Sequence, residues 1–189
     1  PGNAKPDDHI LCVKPVGLET TVNFALTHRE LAEKLFGTQQ TKQLAKLVTM
    51  QSCVEEALTL ADVEGVHAMH DATEGGLTAA LNELSEASGV GLNVEWEQLP
   101  IPEEVQALRT FYGLSDTEVL SMSSTGTVLV AVSPEARREV EDVLRRSGVE
   151  AKFVGKFTTD LHRVLVKDGK KSVFPREAVD PYARIFSGV

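Results

Sequence analysis

The sequence predicts an α+β protein in which helices pack against a mixed β-sheet. Strand-like and helix-like segments alternate along most of the 189 residues, but the last two segments are both strand-like. That order favours a mixed sheet over a uniformly parallel one. The hydrophobic content of 42% is enough for a packed core, and the length fits one large domain.

The first half of the sequence opens with nine polar, proline-rich residues, PGNAKPDDH, which are typical of a linker. Apolar residues that then recur at three- and four-residue spacing indicate amphipathic helices, and short apolar or alternating runs indicate strands. In order, the pattern predicts a linker at 1–9, a strand at 10–14, helices at 19–36 and 42–61, a strand at 66–69, a helix at 77–87 and a strand at 90–96.

The second half begins with a helix that Pro102 opens, because a proline at a helix start removes an N–H that the helix does not use. Apolar, β-branched residues then mark a strand, and Pro134 heads the next helix. The last two strands face each other across residues 158–162 and are expected to form a hairpin pair. The predicted elements are a helix at 102–112, a strand at 126–132, a helix at 134–146, strands at 151–157 and 163–167, and a turn at 168–170.

Composition argues against several classes of protein. With a net charge of −9 and no run of Lys or Arg, neither nucleic acid nor an anionic membrane is expected as the main partner. No apolar run approaches the roughly 20 residues of a membrane span, and no signal peptide is visible, so we expect a cytoplasmic protein. The histidines lack metal-ligand spacing and the two cysteines form no CxxC pair, so we expect no metal site.

The segment HDATEGGL is a strand–turn–helix junction and the strongest candidate for a functional site. Gly75 and Gly76 each weaken the helix by about 1 kcal/mol relative to alanine, which makes sense if a ligand must approach the backbone. The first N–H groups of a helix lack internal partners and suit an anionic oxygen. Thr73 can donate to such a ligand, and His70 and Asp71 stand at the carboxyl end of the strand. The alternative is that Thr73 or Asp71 only caps the helix and the glycines permit tight packing.

A second candidate is the hydroxyl-rich turn formed by Ser123, Ser124, Thr125 and Gly126, just before a buried strand. Its hydroxyl groups can satisfy local backbone groups, as in many turns. The other interpretation is a second ligand loop that lies beside the glycine-rich junction. The residue pattern alone leaves both interpretations open.

Several segments, in order, resemble the C-terminal domain of the AIR synthase-related superfamily, which includes AIR synthase, formylglycinamide ribonucleotide amidotransferase, selenophosphate synthetase and HypE. The likeness to HypE-like proteins is the strongest, through a D-x-T-x-G-G-L motif and the helix that follows it. The matching segments are Asp71–Leu77, AALNELSEASGVG (79–91), LPIPEEV (99–105), SSTGTVLVAVSPE (123–135) and VGKF (154–157).

The resemblance implies a three-layer α/β/α domain, partly ferredoxin-like, over residues 10–189. Residues 1–9 would lead from a missing N-terminal domain that dimerises and binds most of the ATP and Mg²⁺ of the full-length protein. No cofactor is expected in this chain alone, and the partners implied are that N-terminal domain, a second copy and a small-molecule substrate. The implied catalytic residues are Asp71 and His70, and the implied substrate- or phosphate-binding residues are Thr73, Gly75, Gly76, Ser123, Ser124 and Gly126.

Two departures from the HypE-like pattern bear on function. Ala72 and Glu74 stand where these proteins carry Pro and Arg, and a carboxylate at position 74 would repel a phosphate. The last five residues, IFSGV, lack the cysteine with which HypE proteins end, which argues against cyanide-ligand synthesis. We expect a domain of an ATP-dependent enzyme that activates a small substrate by phosphorylation. The alternative is a non-catalytic regulatory or assembly module of the same fold, for example in hydrogenase maturation.

Overall fold

The computed structural model describes residues 2–187. Pro1, Gly188 and Val189 lie outside the described residues, and with them the outer ends of the predicted linker (1–9) and domain (10–189). The centre of the structure is one mixed sheet with the strand order β2-β4-β1-β5-β3-β6-β7. Within residues 2–187 the strands are β1 (His9–Val13), β2 (Val66–Asp71), β3 (Gly91–Glu95), β4 (Val128–Val132), β5 (Ala151–Thr158), β6 (Arg163–Lys167) and β7 (Lys170–Val173).

Helices connect most of these strands and cover the sheet. In the described part of the chain they are α1 (Leu18–Thr27), α2 (Arg29–Phe36), α3 (Thr38–Lys46), α4 (Val54–Ala61), α5 (Gly76–Ser88), α6 (Glu103–Tyr112), α7 (Asp116–Leu120), α8 (Arg137–Arg146) and α9 (Tyr182–Ser187). Short 3₁₀ turns occupy Leu47–Gln51 and Trp96–Gln98. Of the helices between residues 2 and 187, none is both long and apolar enough to cross a membrane.

Helices cover both faces of the sheet because the central strands are apolar on both faces. In β1, Ile10 and Cys12 belong to the core under α5, whereas Leu11 and Val13 belong to the core under α4 and α8. Every residue of β4 is likewise buried. A strand that is apolar on both faces must be covered twice, and here that requirement gives three layers. The predicted α+β fold with a mixed sheet is confirmed.

A third apolar cluster joins the helices that lie beyond the sheet. Phe24 of α1 is fully buried at its centre and contacts Phe36, Tyr112 and Phe186 with ring centroids 5.9, 6.5 and 6.2 Å away. Because Phe186 belongs to α9, this cluster holds the C-terminal helix against α1 and α6. The sequence pattern had predicted neither α9 nor α7.

Two predicted helices were wrong in their extent. The predicted helix 19–36 is divided into α1 and α2 at His28, and the predicted helix 42–61 is interrupted after Lys46. Residues 47–53 leave the α-helix: a 3₁₀ turn occupies Leu47–Gln51, and two carbonyl groups of the segment bond to Lys14. The Lys14 ammonium donates hydrogen bonds to the carbonyl oxygens of Met50 (3.2 Å) and Ser52 (2.6 Å).

Lys14 is a buried cation, with a side chain only 2% exposed. Its ammonium also forms a 2.9 Å ion pair with Oε1 of Glu56, the first buried side chain of α4. The Lys14 backbone has φ 70, a left-handed conformation that costs a lysine on the order of 1 kcal/mol. The residue keeps this conformation because three oxygen acceptors fix the ammonium from the other end of the side chain.

The predicted hairpin between strands 151–157 and 163–167 was also wrong. β5 pairs with β1 and β3, while β6 pairs in parallel with the other edge of β3, so β3 lies between them. The hairpin of this region is instead β6–β7, closed by the predicted turn at Asp168 and Gly169. The segment 170–173, predicted only as the end of that turn, forms the edge strand β7.

Residues 4–8 lie against the domain. Ala4 is buried in the core under α5, and Asp8 accepts a hydrogen bond from the Lys5 N–H at 2.8 Å. The Asp8 carboxylate also lies 2.8 Å from Nδ1 of His67 on β2. The assignment of residues 1–9 to a linker from a preceding domain stays a prediction.

We predict that Lys14→Met destabilises the domain by about 3–5 kcal/mol, because it leaves the Glu56 carboxylate buried without its counter-ion. The carbonyl groups of Met50 and Ser52 lose their donor at the same time. Urea denaturation measures the change. Adding Glu56→Gln to Lys14→Met removes the uncompensated charge and should recover part of the loss. A loss below about 1 kcal/mol for Lys14→Met would contradict the role assigned to this ion pair.

Candidate functional site

The junction between β2 and α5 has the shape that its two glycines allow. Gly75 is the N-cap of α5 with φ 75, and Gly76 follows with φ 52. Consecutive residues in the left-handed region suit glycine and few other residues. Thr73 does not cap the helix through its side chain; its carbonyl oxygen accepts the Gly76 N–H at 3.0 Å. The capping alternative for Thr73 is therefore not what the structure shows.

Gly76 is glycine because another part of the backbone passes against it. A Cβ at this position would lie 2.5 Å from the Met122 carbonyl oxygen and 2.8 Å from that of Leu120. Both are backbone atoms, which cannot move aside as a flexible side chain can. The packing explanation therefore holds for Gly76, and this residue brings the segment 120–122 against the start of α5.

Gly75 presents its N–H to a carboxylate from the far end of the chain. Oδ2 of Asp180 accepts a hydrogen bond from the Gly75 N–H at 3.1 Å and another from the Ser123 hydroxyl at 2.6 Å. Oδ1 of Asp180 accepts the Tyr182 N–H at 2.9 Å, which caps α9. Two residues that the sequence assigned to different loops, Gly75 and Ser123, thus converge on one anionic oxygen.

Asp180 belongs to a segment that crosses the junction, which we call the strap (residues 175–181). Ala178 of the strap lies over Gly75, since a Cβ on Gly75 would come within 2.8 Å of the Ala178 Cβ. On the other side, the Asn82 amide of α5 donates to the carbonyl oxygens of Pro175 (2.8 Å) and Arg176 (3.3 Å). The strap therefore follows α5 back to its N-terminus.

The turn at 123–126 is held by hydrogen bonds and backbone contacts with neighbouring segments of the chain. The Ser124 hydroxyl is fully buried, donates to the Met122 carbonyl and accepts the Gly17 N–H, both at 2.7 Å. Gly126, with φ 99, packs against the backbone of Met50 and Gln51. Ser124 and Gly126 thus shape the turn, and Ser123 is the residue of this turn whose hydroxyl reaches the start of α5.

His70 lies between two acceptors. Its Nε2 is 2.7 Å from Oε2 of Glu83 on α5, and its Nδ1 is 2.7 Å from the backbone oxygen of Asp71. Both oxygens can only accept, so both contacts are hydrogen bonds only in the protonated imidazolium form. In this conformation neither ring nitrogen offers a free lone pair to a substrate, so the geometry suits a positioning role.

Asp71 is an exposed carboxylate at the end of the edge strand β2, with 53% of its side chain accessible. Its Oδ1 is 3.5 Å from Nδ1 of His70. Burial raises the pKa of the Cys53 thiol, and the charge of Asp71 raises it further. Burial also raises the pKa of Cys12 to about 12, so that thiol is not a nucleophile at neutral pH.

The described residues contain no group of three or more His, Cys, Asp or Glu side chains arranged to hold a metal ion. A groove of about 920 Å³ runs between α8 and β5, lined in part by Leu11, Lys14, Leu144 and Phe153. Neither Gly75 nor Ser123 lines it. The place under the strap where Gly75 and Ser123 meet Asp180, which we call the notch, is separate from this groove.

Sequence reasoning missed Asp180 and Glu83. The dipeptide Asp180-Pro181 has the form of a helix start, with an acceptor before a proline, and could have predicted α9. Nothing in the sequence indicates that the second oxygen of the same carboxylate bonds a loop more than a hundred residues earlier. Glu83 lies two turns into α5, where a carboxylate is ordinary for an exposed helix face.

Together the fold and the site define an α+β domain whose glycine-rich helix start can bind an anionic oxygen. The sequence matches the family described as AIR synthase related protein, C-terminal domain, over residues 5–167, and the chain belongs to this family. It is 36% identical over 110 residues to carbamoyl dehydratase HypE of Azotobacter vinelandii, covering 57% of this chain and 31% of that protein.

Other relatives are subunits of a phosphoribosylformylglycinamidine synthase. The chain is 26% identical over 142 residues to phosphoribosylformylglycinamidine synthase subunit PurL of Caldanaerobacter subterraneus subsp. tengcongensis, covering 75% of this chain and 18% of that protein. The structure resembles that of Escherichia coli HypE, a hydrogenase maturation protein, with a TM-score of 0.72 and 23% identity. That match covers 96% of this chain and 53% of HypE, so the chain spans about half the length of that structure. It spans a smaller share of the Azotobacter HypE and of PurL.

We predict that Gly76→Ala destabilises the domain by about 1–3 kcal/mol beyond the cost of its positive φ, because the methyl group meets the backbone at 120–122. Gly113→Ala is the matched control, since Gly113 has φ 62 and nothing lies within 4 Å of its missing Cβ. The control should lose only the conformational cost, about 1 kcal/mol. Urea denaturation of both variants measures the difference, and equal losses would refute the close approach.

Proposed function

We propose that this domain forms the substrate- and phosphate-binding half of an ATP-dependent enzyme that activates a small molecule by phosphorylation. Gly75 and Ser123 would hold an anionic oxygen of the substrate or of its phosphorylated form. The single observation that supports this most directly is their convergence on Oδ2 of Asp180. A backbone N–H at a helix start and a serine hydroxyl are donors that phosphate groups commonly receive in proteins.

His70 and Asp71 would act at the edge of this notch. Asp71 is exposed at the mouth of the junction, and both ring nitrogens of His70 face acceptor oxygens. A cationic imidazolium beside the notch would stabilise negative charge on a bound phosphate or on a reacting oxygen. Glu83 would act through His70, as the residue that fixes the orientation of its ring.

ATP and Mg²⁺ belong, in this proposal, to the rest of the full-length protein. One of the similar HypE structures was solved in complex with ATP, and the chain spans about half of that protein. Phosphoryl transfer depends mainly on positioning and charge stabilisation, and this domain's donors would contribute that for the acceptor molecule. The further partners are an N-terminal ATP-binding domain and a second copy of the full-length protein, in a cytoplasmic setting.

One observation favours the alternative, a regulatory or assembly module without catalysis. Glu74 is exposed beside the notch and adds negative charge where a phosphate would approach. A similar HypE was also solved in a complex with HypF, so proteins of this architecture do assemble with others. A module of that kind would keep the fold and have no need of a free anion subsite.

We predict that the 189-residue chain alone does not hydrolyse ATP, because the nucleotide and Mg²⁺ ligands are assigned to the other half of the protein. A phosphate-release assay with Mg·ATP measures this. Asp71→Asn, purified in the same way, controls for contaminating ATPases. Turnover that is present in the unmodified chain and lost in Asp71→Asn would contradict the assignment.

We predict that Glu74→Arg tightens the binding of a phosphate monoester by at least about fivefold at low salt. A unit charge at 4 Å in water is worth about 1 kcal/mol, which is about fivefold in affinity. Because the gain is partly long-range, it should shrink at 0.5 M salt, which can be checked by calorimetry at both ionic strengths.

The matched control is Glu86→Arg, which makes the same change of charge at the other end of α5. Glu86 lies ten residues beyond Gly76, the first residue of α5, so the new charge is about 15 Å from the helix start, beyond the screening distance at moderate salt. Its effect on binding should be small. Equal effects of both substitutions, or no binding in any variant, would count against the anion site and favour the module without catalysis.

A further inference from the structure

The strap carries a negative charge into the notch that we assign to the ligand. Asp180 uses both oxygens: Oδ2 binds the Gly75 N–H and the Ser123 hydroxyl, and Oδ1 binds the Tyr182 N–H. A phosphate oxygen would need the same two donors as Oδ2. Ligand and strap therefore cannot both occupy the notch in this arrangement.

The charge of Asp180 is compensated only by dipoles in the described part of the chain. None of the salt bridges between residues 2 and 187 includes Asp180. Its partners are two backbone amides at helix starts and one hydroxyl group, which would serve any anion of suitable size. Asp180 is therefore held by the same kind of interaction that a competing anion would gain.

The strap is built so that its middle can move while its ends stay in place. Phe174 before it and Ile185 after it are fully buried, whereas residues 176–179 between them are exposed. These residues bury no large apolar side chain of their own, since Val179 is 53% exposed. Segments with few buried contacts open at low free-energy cost.

We propose that the strap is an internal cover of the anion subsite, in which Asp180 takes the place of the ligand's anionic group. Binding of a phosphate monoester, or of inorganic phosphate as its simplest analogue, would displace Oδ2 from Gly75 and Ser123 and release residues 176–180. This inference rests on the proposed function of the notch. It adds a regulatory step, since the strength of the Asp180 contacts sets how much free ligand opens the strap.

The competing explanation is that Asp180 only caps α9. The two roles use different oxygens, so a substitution can separate them. In Asp180→Asn the remaining oxygen can still accept the Tyr182 N–H, while the amide nitrogen cannot accept from Gly75. This variant therefore keeps the helix cap and removes the internal ligand.

The test measures inorganic phosphate binding to the 189-residue chain by calorimetry and by the NMR shift of the Gly75 amide, at constant ionic strength. We expect Asp180→Asn to bind phosphate at least fivefold more tightly than the unmodified chain. The matched control is Glu177→Gln, which removes one negative charge from the exposed part of the same strap. Its affinity should stay within twofold of the unmodified chain.

A second measurement needs no variant. Trypsin cleaves after Arg176, which is exposed but held by the Asn82 amide through its carbonyl group. Phosphate should accelerate this cleavage at least threefold in the unmodified chain. In Asp180→Asn the cleavage should be fast already and should not respond to phosphate.

The outcomes separate the two proposals. Equal phosphate affinity in the unmodified chain and in Asp180→Asn, with cleavage that phosphate does not change, would overturn the displacement and leave the anion site standing. A Gly75 amide that does not respond to phosphate in either protein would overturn the anion site and the proposed function with it. A variant that binds phosphate more weakly would show that Asp180 supports the site and does not compete for it.

Discussion

The buried ammonium of Lys14 is the interaction on which the candidate site depends. It binds the carbonyl oxygens of Met50 and Ser52 and pairs with Glu56, and it thereby fixes the segment between α3 and α4. Gly126 packs against the backbone of this held segment, which is close enough to exclude any side chain. The turn that carries Ser123 is therefore positioned by a cation that is itself far from the ligand notch.

The same turn is fixed from its other side by α1. The carbonyl oxygen of Ser123 accepts hydrogen bonds from the Thr20 N–H and hydroxyl group, at 3.3 and 3.0 Å, and Oε2 of Glu19 accepts the Thr125 hydroxyl. Buried polar groups held by several partners have little freedom to move. The Ser123 hydroxyl is thus presented by a rigid turn, while the strap opposite it is exposed. This contrast between rigid donors and a carboxylate carried on an exposed segment is what makes displacement physically reasonable.

The sequence predicted the elements whose apolar pattern is decided locally. α5 was found because its apolar side chains face one core, β2 was found as a short apolar run, and the junction between them was marked by glycines. The continuous helix predicted at 42–61 was wrong because its apolar spacing does not correspond to a buried face. Val48 and Val54 continue that spacing but are 50% and 59% exposed. The segment that interrupts the helix is bonded through Met50 and Ser52 to Lys14, more than thirty residues earlier. The β5–β6 pairing failed for a similar reason, since the choice of β3 as their common neighbour is made by the whole sheet.

The sequence predicted the donors of the candidate site but not their acceptor. Gly75 and Ser123 carried a signal, because glycine at a helix start and hydroxyl groups in a turn each have a known chemistry. Their common acceptor had none, since Asp180-Pro181 is fully accounted for as the start of α9. An acidic residue that closes such a site is no argument against phosphate binding there. A notch that stabilises one carboxylate without a paired cation is already arranged for negative charge, and a phosphate that brings more charge than Asp180 would gain more from the same donors.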